Sequence, residues 1–140
     1  MVHKIKAIQI LCLAGIVMLS YLFVLHYAKT PSICNINETF NCEVANKSVY
    51  AEFYGVPLSA IGIGYFIIVL ALSKFKSRFL PHIFLLSAAA VPPCIYLTYV
   101  QIYILGSICL FCELTKMGIY SILAISLYES RKLKLLQFEF

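Results

Sequence analysis

Hydrophobic residues run almost unbroken through four stretches of the chain, residues 7–27, 54–72, 79–105 and 108–128. A helix needs about 20 such residues to cross a hydrocarbon core of roughly 30 Å. The pattern therefore predicts four membrane-spanning helices, with both ends of the chain on one side. Polar positions gather between the first two spans, where residues 32–48 hold four Asn and two Glu. Thr30-Pro31 closes the first helix, so the outer loop is expected over about residues 28–53. Val49, Tyr50, Phe53 and Tyr54 recur at i, i+1, i+4 and i+5. That spacing predicts a short amphipathic helix lying on the membrane surface and roofing the bundle, with Ser48 placed to cap it.

Small residues mark the second span, which begins with Gly55, Pro57, Ser59, Gly62 and Gly64. They let neighbouring backbones come close, and Pro57 suits a first helical turn. Pro92-Pro93, near the middle of the longest span, predicts a kink, and Gly106-Ser107 predicts a tight turn before the last span. No repeat, low-complexity tract or linker interrupts the chain. Residues 1–140 are read as one all-α membrane domain, a four-helix bundle under an extracytoplasmic loop.

Composition supports this reading: 62% of the residues are hydrophobic and 12% are charged, which excludes an ordinary water-soluble globule. The charges orient the bundle. Lys4, Lys6, Lys74, Lys76, Arg78, Arg131, Lys132 and Lys134 fall on the side of the termini, against Lys29 and Lys47 on the other. Short basic segments stay cytoplasmic, so both termini are expected in the cytoplasm and the loop outside. The net charge of +5 is then an orientation signal and predicts no nucleic-acid partner. His3, Lys4 and Lys6 before the first span resemble a signal-peptide start, but the apolar run is too long and Tyr27-Ala28-Lys29 is a poor cleavage site.

Six cysteines carry the candidate chemistry. Cys34 and Cys42 lie in the outer loop, while Cys109 and Cys112 form Cys109-Leu110-Phe111-Cys112 at the outer start of the last span. Two pairs thus face each other on the side where disulfides persist. A C-x-x-C at a helix start is suited to redox work, because the helix dipole and backbone donors stabilise the reactive thiolate. Zinc would require a second close pair or nearby His, neither of which is present, so no metal is expected. Two structural disulfides holding a non-catalytic membrane subunit are the plain alternative. Cys12 and Cys94, inside apolar spans, read as buried small hydrophobes.

Cys34, Cys42, Ser48, Gly55-Val56-Pro57, Ser59, Gly62 and Cys109-Leu110-Phe111-Cys112 together resemble the vitamin K epoxide reductase family, in its small stand-alone prokaryotic form. The resemblance spans essentially the whole chain. It implies a four-helix bundle around a quinone, ubiquinone or menaquinone, in the cell (inner) membrane with the active site facing the periplasm or exterior. It further implies a disulfide-generating oxidoreductase that reoxidises a thioredoxin-like or DsbA-like thiol protein. Many bacterial relatives carry that domain fused; this sequence ends before one, so a separate partner is expected.

By the same resemblance, Cys34 exchanges with the partner, Cys42 reaches Cys109, and Cys112 lies against the quinone ring. Ser48 matches a supporting loop serine. Lys116 and Leu58 stand where animal members carry a tyrosine and an asparagine linked to vitamin K binding, which bears on the alternative of vitamin K quinone or epoxide reduction. Glu113 and Lys116 are the charges set well inside a predicted span. Three apart on one helix, they are placed either to pair or to let Lys116 polarise or protonate a quinone carbonyl.

Overall fold

The computed structural model describes residues 2–138; Met1, Glu139 and Phe140 of the expected 1–140 domain lie outside them. Its order is α1 (Val2–Tyr27), α2 (Cys42–Asn46), a 3-10 turn at Val49–Ala51, β1 (Glu52–Phe53), β2 (Val56–Pro57), α3 (Leu58–Ser73), a 3-10 turn at Lys76–Phe79, α4 (Leu80–Tyr99), a π-helical segment at Val100–Leu105, and α5 (Leu110–Phe138). Three helical stretches, Val2–Tyr27, Leu80–Leu105 and Leu110–Leu135, are long and apolar enough to cross a membrane. The fourth apolar helix, α3, is shorter, with 16 residues. Outward-facing Ile10, Leu13, Val17, Leu85, Ile95 and Met117 are exposed, as lipid contact requires and water does not favour.

The core runs along α1. Ile8, Cys12, Leu19, Leu22 and Leu25 recur on one face at helical spacing and are buried against α3 and α5. Two glycines set the α1–α3 distance. A Cβ on Gly15 would meet the ring of Phe66 at 2.6 Å, and one on Gly62 would meet Leu19 at 2.6 Å. Gly62 thus serves the close approach its sequence context suggests, whereas nothing faces Gly64 within 4 Å. Phe66 is wholly buried and cannot swing aside. Gly15→Ala is expected to destabilise the protein by about 1–3 kcal/mol, measured as a lower unfolding midpoint in detergent. An unchanged midpoint would show that α1 and α3 separate freely.

The two ends of the chain meet at one end of the bundle. Lys4 Nζ lies 3.0 Å from Glu129 and 3.5 Å from the centre of the Tyr128 ring, joining the start of α1 to the last part of α5.

The outer region differs from the sequence expectation in three ways. No amphipathic helix forms over Val49, Tyr50, Phe53 and Tyr54. A 3-10 turn leads instead into a two-residue hairpin with Glu52 opposite Pro57 and Phe53 opposite Val56. Tyr54 and Gly55, at φ +52° and +80°, make its turn, and this left-handed pair is incompatible with a continuing helix. The short helix lies earlier, at α2, where the Asn41 side chain accepts from the N–H groups of Glu43 and Val44. Ser48 is not a side-chain cap: its hydroxyl donates to the Ala45 carbonyl at 2.9 Å.

Because of the hairpin, α3 starts at Leu58 rather than near residue 54, and Pro57 stands just before the helix instead of in its first turn. Helix α4 continues through Pro92-Pro93, and the departure from α geometry comes later, in the π segment. Gly106, left-handed at φ +64°, ends that segment in the expected tight turn. The last helix begins at Leu110, two residues after the expected position, because residues 107–108 bond to the outer loop rather than to a helix.

Candidate functional site

Backbone pairing brings the two cysteine pairs together. The Ile108 N–H donates to the Thr39 carbonyl at 2.6 Å, and the Ser107 hydroxyl donates to the Glu38 carbonyl at 3.1 Å. The loop is thereby fastened to the turn before α5. A second tie runs through Tyr21 of α1, whose hydroxyl accepts the Ile33 N–H at 3.0 Å while its ring packs edge-on against Phe111 at 5.5 Å. Asn35 braces the loop from within: its amide bonds both the backbone and the side chain of Glu43. Hydrogen bonds from Lys47 and then Asn35 hold the Glu43 carboxyl below its ordinary value.

Within this frame a disulfide joins Cys34 and Cys42, with Cα atoms 5.8 Å apart. Cys109 and Cys112 carry free thiols. The sulfurs of Cys34, Cys42 and Cys109 all lie within 4.8 Å of one another, and all three residues are buried. Three sulfurs at such spacing resemble part of a metal site, but two of them are committed to the disulfide and offer no thiolate. Cys34 is 4% exposed, and Ser32 Oγ lies 3.2 Å from its sulfur. The loop cysteine expected to meet a partner is therefore sheltered in this form.

Cys109 takes the N-cap position of α5. Its carbonyl accepts the Glu113 N–H at 3.0 Å, and its sulfur accepts the Cys112 N–H at 3.3 Å, where Ser or Asp would ordinarily offer oxygen. A sulfur receiving a helix N-terminal N–H is best satisfied as thiolate. The Cys109 N–H is held in turn by Gln101, whose side-chain oxygen accepts it at 3.1 Å. Gln101 is buried within the π segment, and its carbonyl also accepts the Ser107 N–H at 3.1 Å. Widened helical turns of this kind recur at functional sites.

Beneath the sulfur cluster lies a cavity of about 360 Å³, within the range of small-molecule sites. Cys112, Lys116, Leu58 and Ser48 line it, as do Cys94, Asn46, Gln101 and a largely apolar wall that includes Leu19, Leu86, Leu97 and Ile119. The apolar wall, the few polar donors and Cys112 at the boundary suit a flat, carbonyl-bearing ring of quinone type. Glu113 does not line the cavity; it contacts Lys116, whose Nζ donates to Glu113 at 2.7 Å and to Thr98 at 2.9 Å. The expected pairing of Glu113 with Lys116 is thus present, and Lys116 alone of the two reaches the cavity wall.

Four participants escaped the sequence reading: Tyr21, Asn46, Gln101 and Cys94. Cys94 is buried as expected of a small hydrophobe, yet it also faces the cavity. Asn46 anchors the roof, donating to the Leu22 carbonyl at 2.7 Å while its own carbonyl bonds His26 at 2.8 Å. His26 reaches Glu52 as well, at 2.8 Å, tying the last turn of α1 to α2 and the hairpin. A polar amide within the apolar third span was the one available signal for Gln101. Cys12 takes no part in the site and lies in the helix core.

No curated protein matches the chain significantly. A family model described as the vitamin K epoxide reductase family matches residues 6–127, nearly the full length that carries the bundle, the loop pair and the Cys109-Leu110-Phe111-Cys112 motif. This is a membrane oxidoreductase of thiols and quinone, and the chain belongs to the vitamin K epoxide reductase family.

Proposed function

We propose that this protein is a thiol:quinone oxidoreductase that reoxidises a thioredoxin-like, DsbA-like partner outside the cytoplasm and so sustains disulfide formation. The observation that carries this reading is that the two Cys109-Leu110-Phe111-Cys112 thiols touch different neighbourhoods. The Cys109 sulfur lies within 4.8 Å of both loop sulfurs, while Cys112 lines the cavity. Electrons entering at the loop therefore have a path of adjacent sulfurs to the cavity wall.

In the proposed cycle the partner's dithiol attacks the Cys34–Cys42 disulfide at Cys34. The partner leaves as a disulfide, and Cys34 and Cys42 become thiols. Cys42 thiolate then attacks Cys109 of an oxidised Cys109/Cys112 pair, reforming the loop disulfide and leaving the helix pair as dithiol. That dithiol passes two electrons and two protons to the quinone, which supplies the oxidising power and leaves as quinol. The net direction follows the relative potentials, with about 30 mV equivalent to about 1.4 kcal/mol. Burial of Cys34 means that the irregular segment around Ser32 must open for the partner. Lys116, with two of its three ammonium protons engaged, offers the third to a quinone carbonyl.

The purified protein is expected to oxidise a small dithiol when menadione or a short-chain ubiquinone is supplied, and not when quinone is omitted. Absence of quinone-dependent oxidation with either compound would leave two structural disulfides as the better account. Orientation has its own test, resting on the basic residues near the termini. In a variant lacking native cysteines, an impermeant thiol reagent added to intact cells should label Glu38→Cys and spare Lys74→Cys. The opposite pattern would invert the protein in the membrane.

A further inference from the structure

Hydroxyls on apolar helices usually satisfy themselves by donating to a carbonyl one turn back. Ser20, Ser73, Thr115 and Ser121 do so here, at 2.7–2.8 Å. Ser59 does not. It is the second residue of α3, so the residues three and four before it, Val56 and Gly55, belong to the hairpin and its turn rather than to a preceding helical turn. Its hydroxyl is buried, the residue being 6% exposed, and it has no hydrogen-bond partner among the described residues.

The position of this orphan hydroxyl is what gives it meaning. Ser59 lines the same cavity as Cys112 and Lys116. Three other hydroxyls on that wall are already engaged, Ser48 with Ala45, Tyr65 with Ser87 and Thr115 with Phe111, while that of the partly exposed Tyr50 makes no hydrogen bond among the described residues. Ser130, the other unpaired buried hydroxyl among the described residues, is far along α5 and does not line the cavity. Buried unpaired donors are few in native proteins because each costs free energy, and one on a residue lining a ligand-sized cavity is satisfied when its side chain turns to an acceptor that the ligand brings. Ser59 stands on α3 and Lys116 on α5, and both helices pack against α1. The cavity therefore offers donors from two separate helices, which suits a ring bearing two carbonyl oxygens.

We propose that Ser59 Oγ donates a hydrogen bond to one carbonyl oxygen of the quinone ring and so positions that ring beside Cys112. This deepens the quinone reading and rests on it. Ser59 is a binding and positioning residue; it exchanges no electrons.

The test uses the full chain in detergent, with menadione and a short-chain ubiquinone as probes, and compares wild type, Ser59→Ala and Ser59→Thr. Without quinone, Ser59→Ala should melt no lower than wild type, because the lost hydroxyl has no partner to abandon. With quinone it should lose most of the ligand-induced rise in melting temperature. Its KM for quinone should rise about tenfold, with KM for the dithiol unchanged. Ser59→Thr, which keeps a hydroxyl, should bind quinone more tightly than Ser59→Ala. A Ser59→Ala protein that melts lower, or fails to fold, without quinone has lost a structural contact, and the proposal is overturned. It is equally overturned by an unchanged quinone KM, or by Ser59→Thr binding no better than Ser59→Ala. If wild-type protein neither binds nor reduces either quinone, the functional reading itself falls; normal quinone reduction with an indifferent Ser59 removes this inference alone.

Discussion

Cys112→Ala is expected to stop quinone reduction, by at least about a thousandfold, while a disulfide between Cys42 and Cys109 accumulates. The geometry motivates the expectation. Cys109 is within reach of the loop sulfurs, but its forward resolution needs Cys112, the thiol at the cavity wall. Once Cys112 is removed, the Cys109 thiolate attacks Cys42 of the loop disulfide, the Cys34–Cys42 bond breaks with Cys34 leaving as thiolate, and the resulting loop–helix link has no forward exit. Cys34 is then the free loop thiol able to reverse the exchange, so in a protein that lacks it as well, a Cys42–Cys109 disulfide formed with an added small-molecule disulfide as oxidant should persist longer. Mass spectrometry of protein digested without reductant reads the linkage directly. Because the Cys109 sulfur lies within 4.8 Å of both loop sulfurs, finding Cys34 joined to Cys109 would exchange the roles of the loop cysteines. Finding no loop–helix link would falsify the relay and favour independent structural bonds. Cys12→Ala should change neither the linkage nor the turnover, since Cys12 sits in the helix core.

Lys116→Met should destabilise the protein by about 1–3 kcal/mol, less than for a fully buried pair because the stranded Glu113 side chain is 32% exposed, and the Glu113→Gln, Lys116→Met double variant should recover most of that loss. Nζ of Lys116 is 2.7 Å from the Glu113 carboxylate, and the lysine side chain is 6% exposed. Removing one partner strands a charge in a low-dielectric setting, whereas removing both strands none. The Thr98 hydroxyl, which accepts a Lys116 proton, still has its own proton to donate to the Cys94 carbonyl at 3.1 Å, with the Glu113 carboxylate at 3.4 Å as the alternative acceptor. Unfolding midpoints in detergent for the two single variants and the double complete the cycle. Should Lys116→Met and the double variant prove equally stable while both lose quinone turnover, the lysine acts on the ligand and the ion pair contributes little.

The properties readable along the chain are those that depend on residues near one another in sequence. The apolar helices and their approximate extent follow from runs of apolar residues, because a helix in lipid satisfies its backbone within itself. The tight turn at Gly106 and the grouping of Cys34 with Cys42 and of Cys109 with Cys112 were legible for the same reason, as was the i, i+3 meeting of Glu113 and Lys116. The resemblance to the family, carried by the cysteine spacing and the Gly55-Val56-Pro57 segment, is also a property of the linear pattern.

The outer region and the cavity depended on contacts between distant segments. Val49, Tyr50, Phe53 and Tyr54 carry helical spacing, yet the left-handed pair Tyr54-Gly55 folds them into a hairpin. Nothing local reveals that Gln101 will hold the Cys109 N–H, that Tyr21 will bridge Ile33 and Phe111, or that the core residue Cys94 will also face the site. Glu113 and Lys116 look alike as buried charges, and packing alone sends one to the cavity wall and keeps the other off it. Ser59 reads along the chain as one small residue among several at a helix start. Only the folded bundle leaves its hydroxyl buried and unpaired on a residue that lines the cavity, because hydrogen-bond satisfaction is settled by every group that packs around a site and not by the residues beside it in sequence.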